Sequence, residues 1–207
     1  MNGRSKRAEK RARREREKAI KSAEFARYEK IFRSCGFSVK DKTIPLEKVT
    51  GISFLSVLPV AVLFGIIFFL FSPRQGAGLW QWLLLLPVCI LSVPVHELFH
   101  ALGWAVCGVR KISFGIEKGI PYCNCRQPLK RGKYLVGCLS PFFLLGIVPL
   151  TVSLFTGLVT VFIFGMFGIF AAAADFLISL KAISCRGVFL DHPERCGYFV
   201  FYKEKKD

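Results

Sequence analysis

Residues 79–107 read LWQWLLLLPVCILSVPVHELFHALGWAVC, and Glu97 is the only charged residue among them. A bilayer core of about 30 Å is crossed by roughly 20 apolar residues in a helix, so this stretch is long enough to span a membrane. Three other runs with almost no charge, rich in Leu, Ile, Val and Phe, occupy residues 52–71, 135–155 and 158–180. The pattern predicts an all-α integral membrane protein with four transmembrane helices.

The composition of the 207-residue chain agrees with a membrane domain that carries a charged extension. Hydrophobic residues make up 53% of the sequence, yet 30 basic residues stand against 14 acidic ones, and 16 of the basic residues lie within positions 1–50. This segregation argues against a soluble domain, a disordered protein and a secreted disulfide scaffold. We therefore predict a basic cytoplasmic arm over residues 1–50, a four-span membrane domain over 51–184 and a cytoplasmic tail over 185–207.

The positions of the basic residues also predict the orientation, because Lys and Arg near the ends of spans are held in the cytoplasm. The arm, the loop between the second and third runs, and the tail are basic, whereas the other two connections carry only Arg74. Four crossings with both termini in the cytoplasm place every basic segment on one side. The basic residues of the loop are Arg110, Lys111, Lys118, Arg126, Lys130, Arg131 and Lys133.

The arm itself has the composition of a solvated helix. Residues 4–33 contain 13 basic and 5 acidic residues with Ala between them. Basic segments beside a membrane are attracted to anionic lipid headgroups, which we predict as the partner of this arm. Few aromatic side chains are available for stacking on bases, which argues against nucleic acid. Phe25, Tyr28, Ile31 and Phe32 are predicted to lay one apolar edge on the membrane surface.

Within the second run, two histidines flank the single acidic residue. His96 and His100 lie one turn apart on a helix, so that both imidazoles can reach one metal ion while Glu97 lies beside it. An ionisable group at membrane depth is costly and normally has a function. This H-E-x-x-H arrangement is typical of zinc peptidases, in which two histidines bind Zn²⁺ and the glutamate takes a proton from metal-activated water.

A catalytic zinc site uses three protein ligands, and Asp175 is the candidate for the third. It is the only charged residue between Lys133 and Lys181, and its depth in the fourth run matches that of His100 in the second. Stripes of small residues accompany both segments, and such stripes allow helices to approach closely. We predict that the two stripes face each other: His96, His100, Gly103 and Cys107 on one, and Gly165, Gly168, Ala172 and Asp175 on the other.

The residues alone leave other interpretations open. In a non-catalytic multi-span protein the same side chains would hold a structural metal or form a buried polar cluster, and the protein would act as a scaffold that recruits partners. Metal transport predicts further polar residues through the other leaflet, and residues 52–71 and 135–155 offer only a few Ser and Thr.

Eight cysteines raise the question of a second metal site. Most of them fall on the predicted cytoplasmic side, where thiols stay reduced. Cys123-Asn124-Cys125 with the scattered Cys185 and Cys196 is a weak zinc signature, so we predict free thiols. The third histidine, His192, lies in the segment Asp191-His192-Pro193-Glu194 and is predicted to be a turn residue.

The segment HELFHALG at residues 96–103, the basic loop, Ser140-Pro141 early in the third run and Asp175 in the fourth together resemble the putative zincin membrane peptidase family. That family is similar to the site-2 protease group of intramembrane zinc metalloproteases. The resemblance covers about residues 80–185. The chain departs from the site-2 protease pattern of Leu-Asp-Gly at the third ligand, because Phe176 follows Asp175.

The resemblance implies Zn²⁺ as cofactor, with His96, His100 and Asp175 as its ligands and Glu97 as the catalytic base. The implied activity is hydrolysis of peptide bonds in membrane-associated or transmembrane protein substrates by metal-activated water. The loop also contains two segments, 112–116 and 119–122, that predict a short β-hairpin. In site-2 proteases a comparable edge strand binds substrate in extended form, and the resemblance implies that role here.

Overall fold

A computed structural model of the chain describes residues 3–73, 75–117, 119–192 and 196–203. Arg74 and Lys118, used above to argue the orientation, and Pro193 and Glu194 lie outside these ranges. The elements in chain order are α1 (Gly3–Ser34), β1 (Ser38–Asp41), α2 (Leu46–Phe71), α3 (Leu79–Val106), β2 (Ile112–Glu117), β3 (Ile120–Cys125), β4 (Leu129–Lys130), α4 (Arg131–Pro141), a π-helical turn (Phe142–Ile147), α5 (Val148–Thr156), α6 (Val159–Ala171), α7 (Ala173–Ile183), β5 (Val188–Asp191) and β6 (Tyr198–Tyr202).

The four apolar runs form the helical bundle. Within the described residues, α2, α3 and the helix over residues 131–156 are each long and apolar enough to cross a membrane. The fourth run is a broken helix, in which α6 and α7 meet at a bend of 53° and together have the length of one span. Three to four membrane-crossing helices therefore agree with the prediction of a membrane protein.

The glycines of the two predicted stripes do not face each other. A Cβ on Gly103 of α3 would clash with Ser140 of α4, and a Cβ on Gly168 of α6 would clash with the carbonyl of Leu145 in the π-helical turn. These glycines thus pack on the third span. The stripe prediction was wrong for the glycines, because small residues show which face of a helix can approach another but do not identify the neighbour.

The prediction of an all-α fold was also wrong, because a four-stranded antiparallel sheet lies beside the bundle. Its strand order is β1-β6-β5-β4. Ser38 pairs with Tyr202 and Val188 pairs with Phe201, so the segment before α2 and the segment after α7 are joined in one sheet. Phe and Val are abundant in β5 and β6 and favour the half-buried surface of a pleated sheet.

The predicted hairpin is present as β2 and β3, a separate two-stranded antiparallel sheet. The connection contains Gly119, which has a positive φ of 90° that side chains disfavour. One face of the hairpin carries Gly115 opposite Tyr122, and the phenol ring lies so close to Gly115 that a Cβ there would clash with it. The other face carries Phe114 opposite Cys123.

Helix α1 lies on both sheets. Phe25 stacks on Phe199 with ring centroids 4.1 Å apart, and Phe32 stacks on Phe201 at 4.4 Å. These rings, predicted on the lipid surface, instead cover the sheet. Contact with rings that already line a sheet removes more apolar surface from water than an exposed position would.

Charged side chains tie α1 to the hairpin. The Arg126 guanidinium donates to the Glu24 carboxylate at 2.7 Å, and Lys21 donates to the Tyr122 hydroxyl at 3.1 Å. The hairpin therefore lies under α1 on the side of Tyr122, and β3 contacts α3 on the other side.

Candidate metal centre

The side chains of His96, His100 and Asp175 converge on one point between α3 and α7. The Nε2 atom of His96 lies 3.1 Å from Asp175 Oδ2 and 3.1 Å from His100 Nε2. His100 Nε2 lies 3.5 Å from the same carboxylate oxygen. Within the described parts of the chain, this is the one group of three or more His, Cys, Asp or Glu ligand atoms within 4.8 Å of one another.

The two histidines are oriented by the helix that carries them and by a neighbour. His100 Nδ1 lies 2.9 Å from the carbonyl oxygen of Gly137, which can only accept a hydrogen bond. Nδ1 therefore carries the proton, and the lone pair of Nε2 is directed toward the other two ligand atoms. A backbone carbonyl on the second nitrogen is the usual way in which proteins orient a metal-binding histidine.

The carbonyl of Gly137 reaches His100 because α3 and α4 lie very close together. A Cβ on Gly137 would clash with the indole of Trp104, which stacks over His100 with ring centroids 5.8 Å apart. The indole Nε1 donates to the carbonyl of Tyr134 at 3.4 Å. Any side chain at position 137 would separate these groups, so the glycine is a positioning residue of the cluster.

Asp175 reaches the histidines because the fourth span is broken. Helix α7 begins just after the bend, and Asp175 lies in its first turn. The N-terminal N–H groups of a helix have no partners within it and favour a carboxylate nearby. Breaks of this kind at membrane depth are tolerated where the freed backbone lines a site. The π-helical turn of the third span lies against α6 near this bend, and π-helical turns often occur at functional sites.

The three ligand atoms have the chemistry expected of a zinc site. Two imidazole nitrogens and a carboxylate oxygen are all electron-pair donors, and their close approach requires a shared proton or cation between them. His nitrogen and Asp oxygen are common ligands of Zn²⁺, and three such groups are the protein ligands of a catalytic site. Both histidines are buried, with about 9% of His96 and 6% of His100 exposed. The residues present therefore fit a zinc ion.

Glu97 lies beside the cluster and outside it. The backbone N–H of Cys123 in β3 lies near its carboxylate. Glu97, His96 and Pro121 share the wall of a cavity of about 160 Å³. The predicted base thus lies next to space that can hold water or substrate, and next to the hairpin.

The cysteines do not form a second cluster in the described part of the chain. None of the eight forms a disulfide bond. Burial raises the pKa of Cys123 to about 12 and that of Cys125 to about 12, so both thiols stay protonated at neutral pH.

The sequence analysis missed three groups that organise the site. Two are backbone groups, the Gly137 carbonyl and the Cys123 N–H, and no sequence motif specifies them. The third is Asp191, which lies beside the predicted turn residue His192. Its half-buried carboxylate accepts a hydrogen bond from the Cys125 N–H at 2.7 Å. The ring of His192 stacks on Phe199 and lies outside the cluster.

Comparison with known proteins gave one finding. Residues 89–187 match the model of a family described as "Putative zincin peptidase". The matched region contains the three cluster residues, Glu97 and the hairpin, and it ends before β5. This confirms the resemblance that the sequence analysis drew from these residues. No curated protein and no solved structure matched the chain.

Proposed function

We propose, from the premise that residues 89–187 place the chain in the putative zincin peptidase family, that it is a zinc-dependent, membrane-embedded endopeptidase. Its substrates would be membrane-associated or transmembrane proteins. The observation that carries the proposal is the convergence of His96, His100 and Asp175 from two apolar helices, with Glu97 directly beside them.

The geometry indicates a separate role for each of these residues. His96, His100 and Asp175 would hold the zinc ion, and the Gly137 carbonyl keeps His100 in the correct tautomer. A zinc ion supplies Lewis acidity, which makes water easier to deprotonate and a carbonyl easier to attack. Glu97 accepts the proton of the attacking water and later returns it to the departing amine. The Cys123 N–H lies near the Glu97 carboxylate, and Glu97 lines the cavity.

The hairpin is the proposed guide for an extended substrate. Among the residues that the structure describes, β2 and β3 form a sheet of two strands, so strand edges are available for a further strand. Pairing with such an edge holds a peptide by its backbone and is tolerant of its sequence. Because Cys123 of β3 lies near Glu97, a peptide guided by the hairpin would reach the proposed base.

We also propose that both ends of the membrane domain lie in the cytoplasm. Antiparallel pairing of β1 with β6 puts the segment before α2 and the segment after α7 on the same side of the bundle, which requires an even number of crossings. The basic loop is on that side too, because Arg126 contacts α1. This arrangement agrees with the retention of basic segments in the cytoplasm.

Anionic lipid remains the proposed partner of α1. Its apolar rings cover the sheet, so attraction to lipid headgroups would come from its basic residues. Vesicles with and without anionic lipid, mixed with the purified protein at two salt concentrations, would measure this. Salt-sensitive binding to anionic vesicles alone is the expected result.

The deciding experiment measures bound zinc in detergent-purified protein. Wild type should contain about one zinc ion per chain, and His96→Ala, His100→Ala and Asp175→Asn should each lose most of it. His192→Ala and Asp41→Asn are matched controls, since each removes a residue of the same type outside the cluster, and both should retain zinc. Stoichiometric zinc in the three cluster variants would rule out the proposed ligands.

The Glu97→Gln variant then distinguishes a catalytic zinc site from a purely structural one. This variant should keep its zinc and lose cleavage of a pool of peptides derived from transmembrane segments, measured by mass spectrometry. Removal of a general base typically costs about 10²–10⁴ in rate. A wild type that binds zinc and cleaves nothing in this pool would favour the alternative, a scaffold with a structural metal.

A further inference from the structure

The cavity beside the cluster has an asymmetric lining. It holds about 160 Å³ and lies between α3, α6 and the hairpin. At one end are the polar side chains of His96 and Glu97, and the remaining walls are largely apolar, formed among others by Val93, Leu145, Phe167 and Ala171. The polar end is thus continuous with the proposed catalytic groups.

The volume and the lining together define what fits. An apolar cavity of roughly 150 Å³ accommodates one benzene ring. A Leu or Phe side chain therefore matches the space in size and polarity, whereas a charged side chain would lose its hydration without gaining a partner on the apolar walls.

The mouth of the cavity opens on the apolar flank of the bundle. Val93 of α3 is 40% exposed and Phe167 of α6 is 38% exposed. Ala171, which lies next to the bend of the fourth span, is also exposed. A polypeptide that approaches from the lipid would meet this mouth first, and its side chains at that depth are predominantly apolar.

We propose that this cavity is the specificity pocket of the enzyme and binds one Leu-sized or Phe-sized side chain of the substrate, next to the bond that is cleaved. The proposal rests on the proposed function, because it takes His96 and Glu97 as the reacting end of the pocket. Ala171 and Phe167 set its size. The substrate class is accordingly a polypeptide with a large apolar residue at the cleavage site.

Ala171 is the position at which the pocket can be narrowed without disturbing the fold. It is the last residue of α6 and is exposed, so a larger side chain displaces no packed neighbour. Gly168, one turn earlier, is unsuitable for this purpose because a Cβ there would clash with the Leu145 carbonyl. Phe167 offers the opposite change, since Phe167→Ala would enlarge the pocket.

Binding of small zinc-chelating probes tests the pocket independently of catalysis. The probes are acetyl-glycine, acetyl-leucine and acetyl-phenylalanine hydroxamates, and their affinities for zinc-loaded protein are measured by calorimetry in detergent. The leucine and phenylalanine probes should bind wild type about 10- to 100-fold more tightly than the glycine probe, as expected for burial of one large apolar side chain. Ala171→Leu should remove most of this preference and leave the glycine probe within about threefold of its wild-type affinity.

Two further variants complete the test. Phe167→Ala should bind the bulkier acetyl-naphthylalanine hydroxamate at least about tenfold more tightly than wild type does. Ala105→Leu is the control and adds the same bulk as Ala171→Leu at an exposed position of α3. Position 105 is nine residues after His96, which is about half a turn around the helix. This variant should leave the affinity of every probe unchanged.

The outcomes separate the two proposals. Equal affinity of all probes for wild type overturns the specificity pocket while the metal centre stands. An undiminished preference in Ala171→Leu, with an unchanged Phe167→Ala, also overturns it. If no hydroxamate binds zinc-loaded wild type, the proposed peptidase site is overturned and the pocket proposal with it.

Discussion

The helical bundle and the sheet layer, by which we mean the four-stranded sheet with α1, differ in their closest contacts. In the bundle, the closest contacts occur where side chains are missing, as at Gly137 and Gly168. In the sheet layer, large rings are completely buried, as at Phe189 and Phe201. The hydrophobic effect drives burial in water but gives little advantage between helices in lipid, where close backbone packing takes its place. The comparison predicts different responses to the same kind of mutation.

The largest effect is expected from removal of a buried ring in the sheet layer. Phe201 is fully buried in β6 and stacks on Phe32 of α1. Phe201→Ala should lower the free energy of unfolding by about 3–5 kcal/mol, because it removes apolar contact and leaves a cavity. Chemical unfolding followed by the fluorescence of Trp104 and by zinc release would measure it.

Phe155→Ala is the control at an exposed ring of the bundle. This ring is 81% exposed near the end of α5, and lipid or detergent replaces its contacts, so a change below about 1 kcal/mol is expected. Similar losses in the two variants would show that lipid or detergent does not replace these contacts.

The next effect comes from the addition of one methyl group in the bundle. Gly168→Ala places a Cβ against the Leu145 carbonyl, a backbone group that cannot move aside, and should cost about 3 kcal/mol. It should also weaken zinc binding, since α6 leads directly into the turn that carries Asp175.

Gly65→Ala in α2 is its control, because nothing lies within 4 Å of a Cβ at that position. Alanine is the better helix former, so this variant should be unchanged or more stable by up to about 1 kcal/mol. Thermal unfolding of both proteins in one detergent gives the comparison. Equal stability of the two variants would show that α6 and the third span are not in close contact.

The structures of these two regions also differ in how far they could be predicted from the sequence. The apolar runs at residues 52–71 and 79–107 predicted helices α2 and α3, and three of the four helix ends agree within one residue. In lipid, the length and hydrophobicity of a run determine whether it forms a spanning helix. The site followed from two histidines at helical spacing and one acidic residue at matching depth. Its second contributor, Asp175, was placed by counting residues, which works where helices cross a slab of fixed thickness.

The sheet could not be inferred in the same way. Strands β1 and β6 pair although about 160 residues separate them in the chain, and each is only a few residues long. A run of strand-forming residues follows Gly197, namely Tyr198-Phe199-Val200-Phe201-Tyr202. This run was a signal for a strand that a search for membrane helices does not detect. The aromatic residues of α1 were assigned to lipid because the surface that covers them is built from the other end of the chain.

A smaller effect is expected where the hairpin joins the sheet. Asp191 accepts a hydrogen bond from Cys125 of β3, and burial raises the pKa of this carboxyl to about 6. In the unfolded chain its pKa is near 3.9, so the folded state binds the proton more tightly. Stability should therefore decrease as the pH rises from about 4 to about 6 and stay at its lower value above that range.

The comparison of wild type with Asp191→Asn isolates this group, because the amide oxygen can still accept from Cys125 and does not titrate. The difference in unfolding free energy between the two proteins should change by about 2 kcal/mol between pH 4 and pH 7, in favour of the variant at pH 7. A difference that is constant with pH would show that the carboxyl titrates normally.

The smallest effect concerns the contact that joins α1 to the hairpin. Arg126 and Glu24 are partly exposed, with 27% and 32% of their side chains accessible, so their ion pair should contribute about 0.5 kcal/mol. Glu24→Arg should lower stability by that amount or slightly more, and the double reversal Glu24→Arg with Arg126→Glu should restore most of it. Reversal of the exposed pair between Arg11 and Glu15, within α1, should have no measurable effect on docking.

Hydrogen exchange of the α1 amides is the appropriate measurement, because it reports local opening that global unfolding does not resolve. Glu24→Arg should speed exchange in α1 and in β3 together, since the pair bridges the two elements, and high salt should reduce the difference from wild type. Faster exchange in α1 alone would mean that the stacks of Phe25 and Phe32 on the sheet hold the helix, and that the hairpin beside Glu97 is positioned by α3 without help from the sheet layer.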